Sequence, residues 1–347
     1  MASSSDDRAV SAAAPGADGA AGAAGAAAPA RGAGGASGAA GASGAAPASG
    51  AAGASGAGGA WAYRGRWGAE RPAALAGLPL PPARMPLLRR GRPLKRWRYV
   101  GVYGPELMLC VGLARVGVGC QSFWAIWDRG ARRLHERTRL ARGGVELDME
   151  RPGRVRVADT ADGIAVELDL TIAEVDGVET VSPHGRAHIW TRKQGGVAAR
   201  GSVRIGDALH AVDALAVVDD SAGYHARRTD WRWSAGVGRT ADGRSAAWNL
   251  VDGVHDAPAG SERTVWLDGA PAEAAPAVFA ADLAAVATPA DGGDLRFAAE
   301  TVRARREHLL LVRSAYRQPF GAFAGTLPGG VALAEAWGVM EQHSAVW

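Results

Sequence analysis

After residue 96 the chain is a succession of short apolar or alternating runs separated by turn residues. WRYVGVY, ELMLCVGLARVGVG and CQSFWAIWD are rich in Val and aromatics and interrupted by Gly and Pro, the composition of strands. In the last of these, Phe123, Ala125 and Trp127 share one face, and Trp124 and Ile126 share the other. Both faces are apolar, which predicts a strand buried on both sides or a barrel wall covered from outside. Shorter alternating runs follow, from RVRVAD through ALHAVDALAVVDD, and no useful length of residues 145–218 carries helical periodicity. Asp-Gly pairs at Asp162, Asp176, Asp242, Asp252 and Asp268 predict hairpins, because both residues tolerate the positive φ that tight turns demand. Residues 301–312 fit helix on composition and strand on alternation. Residues 281–290 are the best place for a short helix or loop. Many short strands and little helix predict an all-β protein of barrel or sandwich type. The strands are too many for one small barrel, which predicts two joined antiparallel β-barrel lobes.

Composition sets the limits of that fold. Of 347 residues, the first sixty are almost entirely Ala, Gly, Ser and Pro, and cannot bury enough apolar area to offset their ordering entropy. They predict a disordered leader over 1–60, then an N-terminal lobe over 61–215 and a C-terminal lobe over 216–347. Asp6 and Asp7 stand where a basic signal region would be, no apolar core follows them, and no stretch has the length and apolarity of a membrane span. With only Cys110 and Cys120 in apolar surroundings, free thiols and a cytoplasmic location are expected. Lys plus Arg exceed Asp plus Glu by 39 to 35, an excess too small to imply nucleic acid. The proline-rich residues 75–86 predict an extended path over the surface. The basic residues 84–98 are read as a solvated connection, or else as a patch for an anionic partner.

Candidate chemistry concentrates in residues 221–269, which hold Trp231, Trp233, Trp248 and Trp266 with His225, His255, Asn249, Asp252 and Glu262. Trp231 and Trp233 share a strand face, where they either line an apolar pocket or fill a core. Trp248 is placed with them in the wall. Asn249 interrupts an apolar strand and, facing inward, requires a hydrogen-bond partner. His225, beside Tyr224, is a candidate acid or base, or a turn-holding residue. Glu262 and Glu341 are carboxyls whose pKa would rise in an apolar lumen. His184 and His188 are four apart, but no Cys or carboxylate cluster joins them, so a metal is not expected. Phosphate-binding Gly-rich loops and Gly-x-Ser-x-Gly are absent, so no cofactor is expected.

The motifs Tyr224-His225, Trp231-x-Trp233, Asn249 to Gly253, ERTVWLDG, Gln318 to Gly321 and Gly338 to Glu341 resemble the domain-of-unknown-function 2804 family. The resemblance reaches back to GRPLKRWRYVG and SFWAIWD. It implies lipocalin-like, calycin-type barrels distantly similar to carotenoid hydratases and tocopherol cyclases, which act on long apolar molecules. The expectation is therefore a hydrophobic small molecule bound by Tyr224, Trp231, Trp233, Trp248, Asn249 and Glu341. The alternative is acid/base hydration, isomerisation or cyclisation of an unsaturated lipid by His225 or Glu262. Nothing in the pattern sets an oligomeric state.

Overall fold

Two large antiparallel sheets carry the strands that the alternation predicts, in a computed structural model that describes residues 62–148, 152–309 and 312–346. The expected leader, and Trp61 beside it, lie outside the described residues. The first sheet runs, in spatial order, Arg133–Arg139, Gly119–Asp128, Leu107–Val116, Lys95–Tyr103, Ala208–Gly223, Ala187–Ile205, Ile164–Ile172, Gly153–Ala161 and Val145–Asp148. A side branch of Val178–His184 and Tyr63–Arg66 joins the first half of Ala187–Ile205. The second sheet runs Ala270–Glu273, Thr264–Leu267, Ser245–Asp252, Arg228–Thr240, Val331–Val346, Val312–Leu327, Gly293–Leu309, Ala285–Thr288 and Val278–Phe279. The change from one sheet to the other falls in residues 224–227, so strand Ala208–Gly223 lies wholly in the first. The fold is all-β, built of two large, curled antiparallel sheets. Among the described residues the only helix is a single 3₁₀ turn, Ala73–Leu75, and none is long and apolar enough to cross a membrane.

The first sheet curls until its ends meet. Arg137 Nη1 donates to the Thr160 carbonyl at 2.9 Å, and Trp124 Nε1 and Arg139 Nε both donate to Asp159 at 3.1 Å. Its concave interior is a buried, mainly aliphatic core that includes Val100, Val102, Leu109, Val111, Trp124 and Ile126. The second sheet wraps Trp248, Leu250, Phe297, Phe323 and Met340 in the same way. The alternate residues of the same strands, among them Tyr99, Tyr103, Met108, Cys110, Ala125 and Trp127, face the second sheet instead and meet Trp233, Val237, Trp266 and Phe320. The two apolar faces read for residues 119–128 are therefore an interior face and an inter-sheet face.

Each sheet contains a bulge that exchanges those two faces within one strand. In Ala187–Ile205 the register slips between Gly195 and Val197, with Gly196 at φ +70. Odd-numbered Ile189 and Gly195 face the inter-sheet layer, whereas odd-numbered Val197, Ala199 and Val203 fill the interior. In Gly293–Leu309 the slip lies between Ala299 and Thr301, so Leu295 and Phe297 point inward while Arg303 points into the layer. One extra residue reverses the period-two alternation downstream of it.

One open choice is resolved and two segments differ from expectation. Residues 301–309 are strand, which settles the open choice between strand and helix, and 285–288 are strand where a helix or loop was expected. Residues 75–86 do not merely cross the surface: Leu75, Leu80 and Met85 are buried against Val181, Trp190, Ala222 and Tyr224, because their side chains supply the apolar cover that this corner needs. Cys110 and Cys120 are free thiols, Cys110 fully buried.

Candidate functional site

The inter-sheet layer is packed solid over part of its area and opens at one end into a cavity of about 410 Å³. Strands Lys95–Tyr103, Ala187–Ile205 and Ala208–Gly223 wall it on one side, and Arg228–Thr240, Gly293–Leu309, Val312–Leu327 and Val331–Val346 on the other. Its apolar surface is dominated by indoles. Trp231 and Trp233 alternate onto the layer face of one strand, and Trp97 of the opposing sheet lies parallel to Trp231 at 6.5 Å between ring centroids and 5° between planes.

At one end Glu341 is the central group. It stands directly across from Trp233 in the pairing of Arg228–Thr240 with Val331–Val346. Trp231 Nε1 donates to its Oε1 at 2.8 Å and Gln318 Nε2 to its Oε2 at 2.9 Å. Burial raises the carboxyl to about 7, because removing water penalises the ionised form more than the two hydrogen bonds restore it. Two residues on, His343 bonds Ser314 Oγ at 2.8 Å and packs its ring 4.2 Å from Trp231 and 5.4 Å from Tyr316. Burial, with Arg303 adding to it, holds this imidazole down at about 3, so it is neutral. Arg303 lies over the rings of Phe123 (4.5 Å) and Tyr316 (5.0 Å), with Glu136 at 3.0 Å from its Nε.

The other end is polar, and its side chains are also buried. Lys193 Nζ is 2.6 Å from Asp219 Oδ1 and 3.2 Å from Glu262 Oε1. Burial pulls the lysine down, but the two carboxylates more than offset it and the ammonium stays charged. His225 packs against Trp97 in a tilted arrangement, with 5.0 Å between ring centroids. His255 Nδ1 lies 3.2 Å from Ser182 Oγ. Both imidazoles are held well below the ordinary histidine value, chiefly by burial, and are neutral. Neither ring nitrogen of His225, nor His255 Nε2, nor Glu262 Oε2 has a hydrogen-bond partner among the described residues.

The structure brings His225, Trp231, Trp233, Glu262 and Glu341 into one cavity. Asn249 sits behind it: Trp233 Nε1 donates to its Oδ1 at 2.7 Å, and its Nδ2 donates to the Glu262 carbonyl at 2.9 Å. Trp248, one residue away and so on the opposite face, points into the second sheet's interior, where its Nε1 donates to Ser234 Oγ at 3.0 Å and its ring meets Phe323 edge-on at 4.9 Å. Tyr224 turns away from the cavity, donating to the Pro86 carbonyl at 2.8 Å and packing against His188. His184 and His188 do not align on one strand: Gly185 and Arg186 turn a hairpin between them. The basic stretch 84–98 is not a continuous surface patch, since Lys95 and Arg98 are buried and line the cavity. Burial lowers Lys95 to about 8, and its Nζ donates to the His225 carbonyl at 3.2 Å.

The sequence reading missed Lys193, Asp219, Arg303, Tyr316 and His343, and named His255 without assigning it a role. Alternation points to some of them: Ser314, Tyr316 and Gln318 share one face of their strand, and Glu341 and His343 share one face of theirs. Among the described residues no group of three or more His, Cys, Asp or Glu is placed to hold a metal.

Residues 135–347, more than half of the chain, match the family described as Domain of unknown function (DUF2804). This chain belongs to that family. The match takes in Lys193, Asp219, His225, Glu262, Arg303 and Glu341, while GRPLKRWRYVG and SFWAIWD lie before its start. No curated protein matches this DUF2804 member in sequence. Among solved structures, a Nitrosomonas europaea protein assigned as an AttH is 14% identical, with 72% of this chain and 92% of that one covered at a TM-score of 0.41. Kievitone hydratase from Nectria haematococca is 9% identical, with 73% and 88% covered at 0.40. CghA is also 9% identical, with 72% and 87% covered at 0.33.

Proposed function

We propose that this DUF2804 member binds an apolar or amphipathic small molecule in the cavity between its sheets. The observation that carries this reading is the void itself, about 410 Å³ with Trp97, Trp231 and Trp233 in its wall, lying between two sheets that each bury an apolar interior of their own. Protein interiors are close-packed, and a concave, mostly apolar space with a few convergent polar groups is the usual form of a ligand site. Organic extraction of the purified protein, followed by mass spectrometry, tests it. A small molecule recovered near one per chain, and lost from Trp231→Ala/Trp233→Ala, is the expected result. An extract with nothing in it, from a protein whose indole fluorescence ignores every added apolar probe, would end the proposal.

A second reading, catalysis, is favoured by Glu341. Its carboxyl faces the indole-lined space and sits close to half-protonated near neutrality, the state a general acid needs. Glu262 is paired with Lys193, and His225 is neutral, which makes Glu341 the better proton donor of the three. In this reading the Glu341 O–H breaks as a C–H bond forms on an alkene carbon of the occupant. The resulting cation lies against the π faces of Trp231 and Trp233 until water adds or a neighbouring C–H gives up its proton. Solvent deuterium entering the bound molecule, and its loss in Glu341→Gln, would support this. Equal exchange in both proteins would remove it.

A further inference from the structure

The cavity has two chemically different ends, and the one farther from Glu341's own hydrogen bonds has capacity that the protein leaves unused. His225 is fully buried, and neither ring nitrogen meets a full hydrogen-bond partner among the described residues, the neighbouring Gly223 backbone only partly favouring a charged ring. His255 is 5% exposed with Nε2 open, and Glu262 is 2% exposed with Oε2 open. All three line the same cavity. Buried polar groups are almost always satisfied, so four open atoms around one void mark where a polar part of an occupant belongs.

Resting on the binding reading above, we propose that this end receives a hydroxyl group, so that the ligand is an amphipathic alcohol or phenol. A neutral imidazole offers one N–H donor and one bare nitrogen acceptor, and a carboxylate oxygen offers a further acceptor. A hydroxyl both donates and accepts, and is the smallest group that answers both. A hydrocarbon terminus would leave the four atoms open. A carboxylate terminus would face Glu262 and Asp219, whose lysine partner Lys193 is already shared between them. An ammonium terminus would face Lys193 and also Lys95, which lines the same cavity and donates to the His225 carbonyl. Neutral, hydroxyl-bearing molecules are the class that meets neither penalty.

Calorimetric titration with 1-octanol, octanoate and octyl methyl ether separates these cases, the three sharing a chain and differing in the terminal group. Binding of 1-octanol about tenfold or more tighter than either of the others is expected. His225→Leu/His255→Leu should erase that preference by weakening 1-octanol alone. His225→Gln/His255→Gln, which keeps donors and acceptors, should retain most of it and guards against a folding defect in the leucine pair. Octanoate binding as well as 1-octanol overturns the assignment, as does a preference for 1-octanol that survives the leucine pair. Failure of all three probes to bind folded protein instead removes the cavity reading on which the assignment rests.

Discussion

The interior of the first sheet and the layer between the sheets are built from opposite faces of the same strands, yet they are different materials. On Lys95–Tyr103, Val100 and Val102 enter a mainly aliphatic core, while Tyr99 and Tyr103 enter a layer of phenols, indoles and paired charges. The interior side is closed by curling of the sheet, so its residues are chosen for volume. The layer is closed only by the arrival of a second sheet, and where the two surfaces diverge a cavity remains. Polar groups collect there because a desolvated charge is tolerated only beside a partner, and the two facing sheets supply partners for each other. Lys193 of the first sheet is also held by Glu262 of the second sheet's chain segment. Stability and chemistry are thus divided by strand face, and only secondarily by sequence region.

That division can be broken most severely from the interior side. Trp124→Ala deletes a 1% exposed indole and its bond to Asp159, and should cost about 3–5 kcal/mol by urea unfolding while leaving the cavity's ligand selectivity unchanged. An equal loss of binding would show that the two faces are not independent.

From the layer side, Glu341→Gln should act through pH. The carboxyl's folded value of about 7 lies above its ordinary 4.5, so between those values the folded state holds more protons than the unfolded one. Stability contributed by this group is therefore present below about pH 4.5 and is lost as pH rises through about 7. Glu341→Gln removes that loss, so the variant should gain on the wild type by up to about 3 kcal/mol between pH 4.5 and pH 8. A constant difference between the two proteins over that range would mean that Glu341 is ionised throughout. Asn249→Leu should have the smallest effect, about 1–3 kcal/mol, because it strands Trp233 Nε1 and the Glu262 carbonyl without altering packing volume much. If Asn249 positions Trp233, ligand affinity should fall with it. Unchanged affinity would confine Asn249 to a structural role.

Much of the architecture was legible because period-two alternation and Asp-Gly turns are local. The double-sided burial of residues 119–128 follows from side-chain order alone, as does the shared face of Trp231 and Trp233. The same rule, applied strictly, would also have kept Trp248 and Asn249 on opposite faces, where the structure has them. The site was legible only in part. Arg303 lies beyond a bulge and Lys193 just before one, and a bulge is a register slip against a neighbouring strand, visible only once the partner is known.

By itself, then, the sequence determined the all-β class, the turns and which residues travel together on a strand face, since these depend on neighbours in the chain. Tertiary structure alone decided which face looks inward and which looks across at the other sheet, and brought Glu341, Trp97 and Lys193 around one void. Those relations join residues from 97 to 341 and depend on sheet curvature and on bulge register, which are properties of pairing between strands and of no single segment.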